Sequence, residues 1–189
     1  PLSAQTTCYA ANSGHFVPNS GLANQTSCSP GTYQPLSGQS SCLLADLGHH
    51  VSTFAATNLT GCTIGNYQPS IGQAYCLDAS PGNFVNSNLS ITQSPCEVGT
   101  YQPQSGQSSC LFSDPGYFVN SSSSPNQNPC IPGTYQPLSG ESSCLIAEPG
   151  FFVNTTAAIS QISCNAGTYN PWSGADESTD CLLADMGYY

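Results

Sequence analysis

The 189-residue chain has no lysine and no arginine, a single tryptophan and a single methionine, and only 5% of its residues are charged. Ten Asp and Glu stand against no Lys or Arg, giving a formal net charge of −10. Binding to nucleic acid needs cationic side chains that displace counterions from phosphates, so that function is excluded. Docking onto anionic lipid is excluded for the same reason. No run of about 18 apolar residues occurs, so the segment is expected neither to insert directly into a membrane nor to direct its own export. The lack of Lys and Arg also removes every trypsin cleavage site, which suits a durable extracellular material.

What the chain has instead is 18 Gly, 15 Pro and 11 Cys. Gly and Pro interrupt it every few residues, so any core comes in small pieces. Small pieces bury too little apolar surface to offset chain entropy, and cross-links must supply the difference. Regular cysteine pairing needs an oxidising compartment, which points to an extracellular or cell-surface location.

The cysteines and a tyrosine phrase keep one beat. Tyr33, Tyr67, Tyr101, Tyr135 and Tyr169 sit in GTYQP, GNYQP, GTYQP, GTYQP and GTYNP, on a constant 34-residue step. Cys28, Cys62, Cys96, Cys130 and Cys164 follow the same step, as do Cys8, Cys42, Cys76, Cys110 and Cys144; Cys181 falls outside it. A fixed repeat presents one surface at regular spacing and argues for a rod, stalk or filament before an active-site cleft. The expected organisation is a partial repeat at 1–27, repeats at 28–61, 62–95, 96–129 and 130–163, and a partial repeat at 164–189 carrying a three-residue insertion. The opening PLSAQTTC aligns with PLSGQSSC ending at Cys42, and the closing CLLADMGYY aligns with the stretch after Cys42. Both are phrases cut mid-repeat, so the segment is expected to be a length of a longer array.

Within the repeat that opens at Cys28, Pro30-Gly31 turns the chain, Thr32 and Tyr33 favour extended structure, and Ser37-Gly38 turns it again. That pattern predicts a short hairpin or looped ribbon. An apolar or mixed pair such as Leu43-Leu44 follows, then a second turn, then an aromatic and valine run such as Tyr117-Phe118-Val119, which predicts another short strand. The remaining Ser, Thr, Asn and Ala up to the next cysteine read as an irregular loop. No amphipathic 3.6-residue pattern is present. The expected fold is a small disulfide-rich, mostly irregular all-β array forming an elongated rod of tandem 34-residue repeats, with very little helix.

Two pairing frames fit the residues, one leaving Cys8 over and the other leaving Cys181 over. The phrase CSPGTYQPLSGQSSC resembles the cysteine-rich repeat of ephrin-receptor-like and tumour-necrosis-factor-receptor-like extracellular modules, over the first half of each unit. The resemblance implies Cys28–Cys42, Cys62–Cys76, Cys96–Cys110, Cys130–Cys144 and Cys164–Cys181, with Cys8 joined to an upstream half-repeat or a neighbouring subunit. Each staple closes a loop of about 15 residues and removes roughly 3 kcal/mol of unfolded-state freedom.

Asn-x-Ser/Thr sequons occur at Asn24, Asn58, Asn88, Asn120 and Asn154, one in each variable stretch, and are candidates for N-glycosylation. The acids Asp46, Asp114, Glu148 and Asp185 share a turn register that suggests calcium. One carboxylate per repeat, with Ser80 at the matching place in one, is too few oxygens, and bonding to local turn amides is the favoured role. His15 and His49 share a register, next to His50, with Asn83, Tyr117 and Phe151, so this is a tolerant aromatic position and no metal site is expected. Catalytic residues and cofactors are not expected either, since no nucleophile elbow or activated triad is present. Trp172 and the insertion GADESTD at 174–180 are the sharpest departure from the repeat, marking either a connecting surface or neutral variation. The leading functional expectation is a structural extracellular repeat protein building a glycosylated filament, fibre or cell-surface stalk. Its expected partners are other copies of itself and glycans. The alternative is an adhesin or receptor-like ectodomain that binds a protein or carbohydrate through its variable loops.

Overall fold

Glycine sets the beat of the backbone. Gly14, Gly31, Gly48, Gly65, Gly82, Gly99, Gly116, Gly133, Gly150 and Gly167 all have positive φ and recur on a 17-residue step, half the period of the sequence phrases. Each sits third in a tight turn whose fourth amide bonds back to the first carbonyl, as Thr32 N–H does to Ser29 at 3.0 Å. A positive φ at the third residue of a four-residue turn is the glycine position of a type II turn. Pro30 precedes Gly31 with its φ already set for the second position.

A computed structural model describes residues 8–185, so the end phrases at 1–7 and 186–189 lie outside the described residues. After every turn comes a two-residue strand, and a partner strand returns antiparallel to it. His15–Phe16 pairs with Thr26–Ser27, Thr32–Tyr33 with Leu43–Leu44, His49–His50 with Thr60–Gly61, and the pattern continues to Thr168–Tyr169 with Leu182–Leu183. Ten separate two-stranded sheets result among the described residues. The only helical element among the described residues is a 3-10 turn at Ser178–Asp180. The fold is therefore a disulfide-rich, all-β series of hairpins, with two hairpins in each 34-residue repeat.

The stretches expected to be irregular loops hold strands. Thr26–Ser27, Thr60–Gly61, Ser94–Pro95, Asn128–Pro129 and Ile162–Ser163 each close a hairpin just before a cysteine. Most of these pairs carry little β preference, and Pro95 and Pro129 have no N–H to donate. The partner strand fixes them through its backbone, which side-chain patterning does not report.

The described residues divide into two compact units. One comprises residues through Ala79 with Val85–Gln93 and Gly106–Ser108; the other comprises Ser80–Phe84, Ser94–Ser105 and residues from Ser109 onward. In the first, each hairpin's glycine amide donates to the next hairpin: Gly14 N–H to Gln34 C=O, Gly31 to Val51, Gly48 to Gln68 and Gly65 to Val85, at 2.7–2.9 Å. In the second, Gly82 N–H donates to Gln102 C=O, Gly99 to Val119, Gly116 to Gln136, Gly133 to Val153 and Gly150 to Asn170.

Small or medium side chains make the core of each unit. One set alternates cysteine with alanine or serine: Ala11, Cys28, Ala45, Cys62 and Ala79 in the first unit, and Cys96, Ser113, Cys130 and Ala147 in the second, none more than 5% exposed. The other alternates amide with valine, as in Gln34, Val51, Gln68 and Val85 in the first and Gln102, Val119, Gln136 and Val153 in the second, all within 4% of full burial.

Candidate functional site

The chemically distinctive features lie at the two kinds of hairpin. Disulfides join Cys28–Cys42, Cys62–Cys76, Cys96–Cys110, Cys130–Cys144 and Cys164–Cys181, with Cα separations of 5.7–5.8 Å. Cys8 is exposed and unpaired. This is the frame that leaves Cys8 over. Five such bonds point to an oxidising environment, and no helix among the described residues is long and apolar enough to cross a membrane.

Alternate hairpins lack a disulfide, and in their place stand Ala11, Ala45, Ala79, Ser113 and Ala147 for the first cysteine and Gln25, Leu59, Gln93, Gln127 and Gln161 for the second. Gln25, Gln127 and Gln161 clamp their hairpins by hydrogen bonds. Gln25 Oε1 accepts from Asn12 N–H at 2.8 Å, Gln127 Oε1 from Asp114 N–H at 2.7 Å, and Gln161 Oε1 from Glu148 N–H at 2.8 Å. In two of them the amide also donates to the acid, Gln127 Nε2 to Asp114 Oδ2 at 2.7 Å and Gln161 Nε2 to Glu148 Oε2 at 3.2 Å. The turn acids at 114 and 148 thus accept from a glutamine across the hairpin rather than from their own turn amides. Asp46 faces Leu59 in the same register and has no such clamp; Asp185 is exposed.

The glutamine of each GTYQP phrase does a job that composition did not reveal. Gln34 is 4% exposed, donates Nε2 to the Ser41 carbonyl at 2.8 Å and accepts from Leu36 N–H at 3.1 Å. Gln68, Gln102 and Gln136 repeat both bonds on Tyr75 and Ser70, Ser109 and Gln104, and Ser143 and Leu138. Each buried amide fills the hairpin loop and satisfies its backbone. The signal was the invariance of Gln beside Tyr at every step but the last, where Asn170 accepts from Trp172 N–H at 3.0 Å.

The sequon residues Asn24, Asn58, Asn88, Asn120 and Asn154 are all exposed. They occupy different positions in their hairpins: Asn120 and Asn154 closely follow the first strand, whereas Asn24 and Asn58 shortly precede the second. Asn88 Oδ1 accepts from Ile64 N–H at 3.1 Å.

The histidines are not equivalent. His15 Nδ1 and His49 Nδ1 each meet a carbonyl two residues back, Ser13 at 3.2 Å and Leu47 at 2.9 Å. His50 instead points at a disulfide, its Nδ1 3.2 Å from Cys76 Sγ, and its ring nitrogen and the sulfurs of Cys62 and Cys76 all lie within 4.8 Å of one another. Both sulfurs are committed to the S–S bond, so the trio is not a metal-ligand set in the oxidised chain.

The insertion folds locally. Gly174 N–H still donates to Ala147 C=O, and Val153 N–H to Ala175 C=O, as their counterparts do in earlier hairpins. The extra residues bulge out after Ala175, where Asp180 Oδ2 accepts from the amides of Asp176 and Glu177, both at 3.1 Å. Trp172 stays 62% exposed. Neither known protein families nor individually characterised proteins show a significant match to the chain.

Proposed function

We propose that this chain is a structural, extracellular, glycosylated repeat protein that builds a filament, fibre or cell-surface stalk. The observation that carries the reading is the unlikeness of the two faces each hairpin bonds through. A hairpin gives its glycine N–H to the Gln or Val carbonyl of the following hairpin, and different residues bond in return, as Gly38 N–H gives to Ala11 C=O and Gly72 N–H to Ala45 C=O. The two faces carry different groups, so the interface is head-to-tail, and repeating a head-to-tail interface builds an open filament wherever its rotation does not close a ring. The large exposed apolar side chains, among them Tyr75, Phe112 and Trp172 at 70%, 70% and 62%, supply surface for packing between neighbouring chains. The mechanism is mechanical: staples and clamps hold each hairpin, the ladder joins successive hairpins, and glycans on exposed asparagines keep the polymer hydrated.

Electron microscopy of the purified, folded chain across a concentration series tests this. Fibres or bundles are expected. Single molecules at every concentration, with no lateral or end-to-end association, would overturn it. Amidase treatment of native material with no change of mass would remove the N-glycan part.

A further inference from the structure

One side chain stands out against the regularity. The second aromatic of each unstapled hairpin is Phe16, His50, Phe84, Phe118 and Phe152 in order; in four cases it is phenylalanine and in one histidine. At two of these positions the side chain lies by the disulfide of the following hairpin. His50 Nδ1 lies 3.2 Å from Cys76 Sγ, and Phe118 lines the same groove as Cys144. A phenylalanine there offers the sulfurs only a soft apolar contact. A histidine offers a proton.

From this contact we infer that Cys62–Cys76 is a thiol–disulfide exchange site whose opening His50 assists. The co-reactant is a low-molecular-weight thiol. Its thiolate attacks Cys76 Sγ, which is half-buried, rather than Cys62, which is 2% exposed. A bond forms between the incoming sulfur and Cys76 Sγ, the Cys76–Cys62 bond breaks, and the electron pair leaves on Cys62 Sγ. The His50 ring nitrogen lies within 4.8 Å of Cys62 Sγ as well, and the imidazolium form of His50 passes its proton across that gap to the departing Cys62 thiolate and becomes neutral. A leaving sulfur that is protonated or paired with a cation departs faster. Cys42, Cys110 and Cys144 are half-buried like Cys76, and their partners Cys28, Cys96 and Cys130 are as buried as Cys62, so access does not separate these four bonds and the histidine does; in Cys164–Cys181 both cysteines are half-buried, so that bond stands outside the comparison. This inference does not rest on filament formation.

The test uses the full chain with Cys8 first blocked by iodoacetamide. Dithiothreitol is added in limiting amount, aliquots are quenched with N-ethylmaleimide, and a non-tryptic digest follows each of the five disulfides by mass. Cys62–Cys76 is expected to open at least about tenfold faster than Cys28–Cys42, Cys96–Cys110 and Cys130–Cys144, a margin of about 1.4 kcal/mol in barrier. His50→Phe should bring it within about twofold of them. Phe118→His should make Cys130–Cys144 labile in turn, which keeps the question open to an answer if the first variant folds poorly. Equal rates for Cys62–Cys76 and those three bonds in the parent chain, a lead that survives His50→Phe, or no gain from Phe118→His would overturn the assignment.

Discussion

Glycine appears at this fold's special positions for two separate reasons, and substitutions distinguish them. At Gly31 a Cβ would run into the Gly72 carbonyl, so the site requires close backbone approach as well as its φ of 87°. At Gly38 a Cβ would meet only the Ala10 methyl at 3.6 Å, so its φ of 72° is the whole requirement. Gly38→Ala should cost about 1–2 kcal/mol, the penalty of a left-handed L-residue, and Gly31→Ala should cost more. The place of Gly38 is held by Gly21 in the first unstapled hairpin and by Ala55, Leu89, Ser123 and Ala157 in the other four, these at φ of 52–60°. Ala157→Gly should recover part of that penalty, offset by about 0.4–1 kcal/mol of added unfolded-state freedom. Thermal melts should rank Gly31→Ala lowest, then Gly38→Ala, then the parent, with Ala157→Gly level or higher; equal loss at Gly31 and Gly38 would contradict the distinction.

The hairpin is the element on which this chain varies its chemistry without changing its backbone. A stapled hairpin has Cys, a buried Gln and Cys; an unstapled one has Ala or Ser, a buried Val and usually Gln. Replacing Cys130 by Ala together with Cys144 by Gln converts one kind toward the other. The expected loss is about 3 kcal/mol for the staple, with the Thr134–Tyr135 to Leu145–Ile146 pairing retained because Gln136 still satisfies its loop. Gln161→Ala should cost only about 1 kcal/mol, since it removes exposed hydrogen bonds. Denaturant titration followed by circular dichroism checks both, and complete loss of the hairpin in the double variant would show the staple to be indispensable.

The same comparison explains what was legible in the sequence. The Pro-Gly turns, the Thr-Tyr strands and the absence of helix all follow from local preference. The cysteine partners did not follow from spacing alone, which fitted two frames. The second strands of the unstapled hairpins were hidden because Thr60-Gly61 and Asn128-Pro129 pair through their backbones. The glutamine clamps were hidden because each glutamine bonds a turn on the far side of its hairpin, from within a stretch that looks like polar filler.

At the scale of the molecule, the true period is shorter than the one the residues advertise. Identities such as GTYQP recur on the 34-residue step because adjacent hairpins differ at their cysteine and glutamine positions. Only the glycine followed two residues later by an aromatic or histidine, from Gly14-His15-Phe16 to Gly167-Thr168-Tyr169, keeps the 17-residue step throughout. Equal hairpins joined by equal bonds are what give a repeat array its capacity to extend. The most direct test is residue-resolved amide hydrogen exchange on the folded, oxidised chain. Protection is expected at the glycine amides of both hairpin kinds, at Gly14, Gly31, Gly48 and Gly65 in one unit and at Gly82, Gly99, Gly116, Gly133 and Gly150 in the other. Protection confined to glycines of the stapled hairpins, while those of the unstapled hairpins exchange freely, would contradict the ladder and with it the basis for assembly.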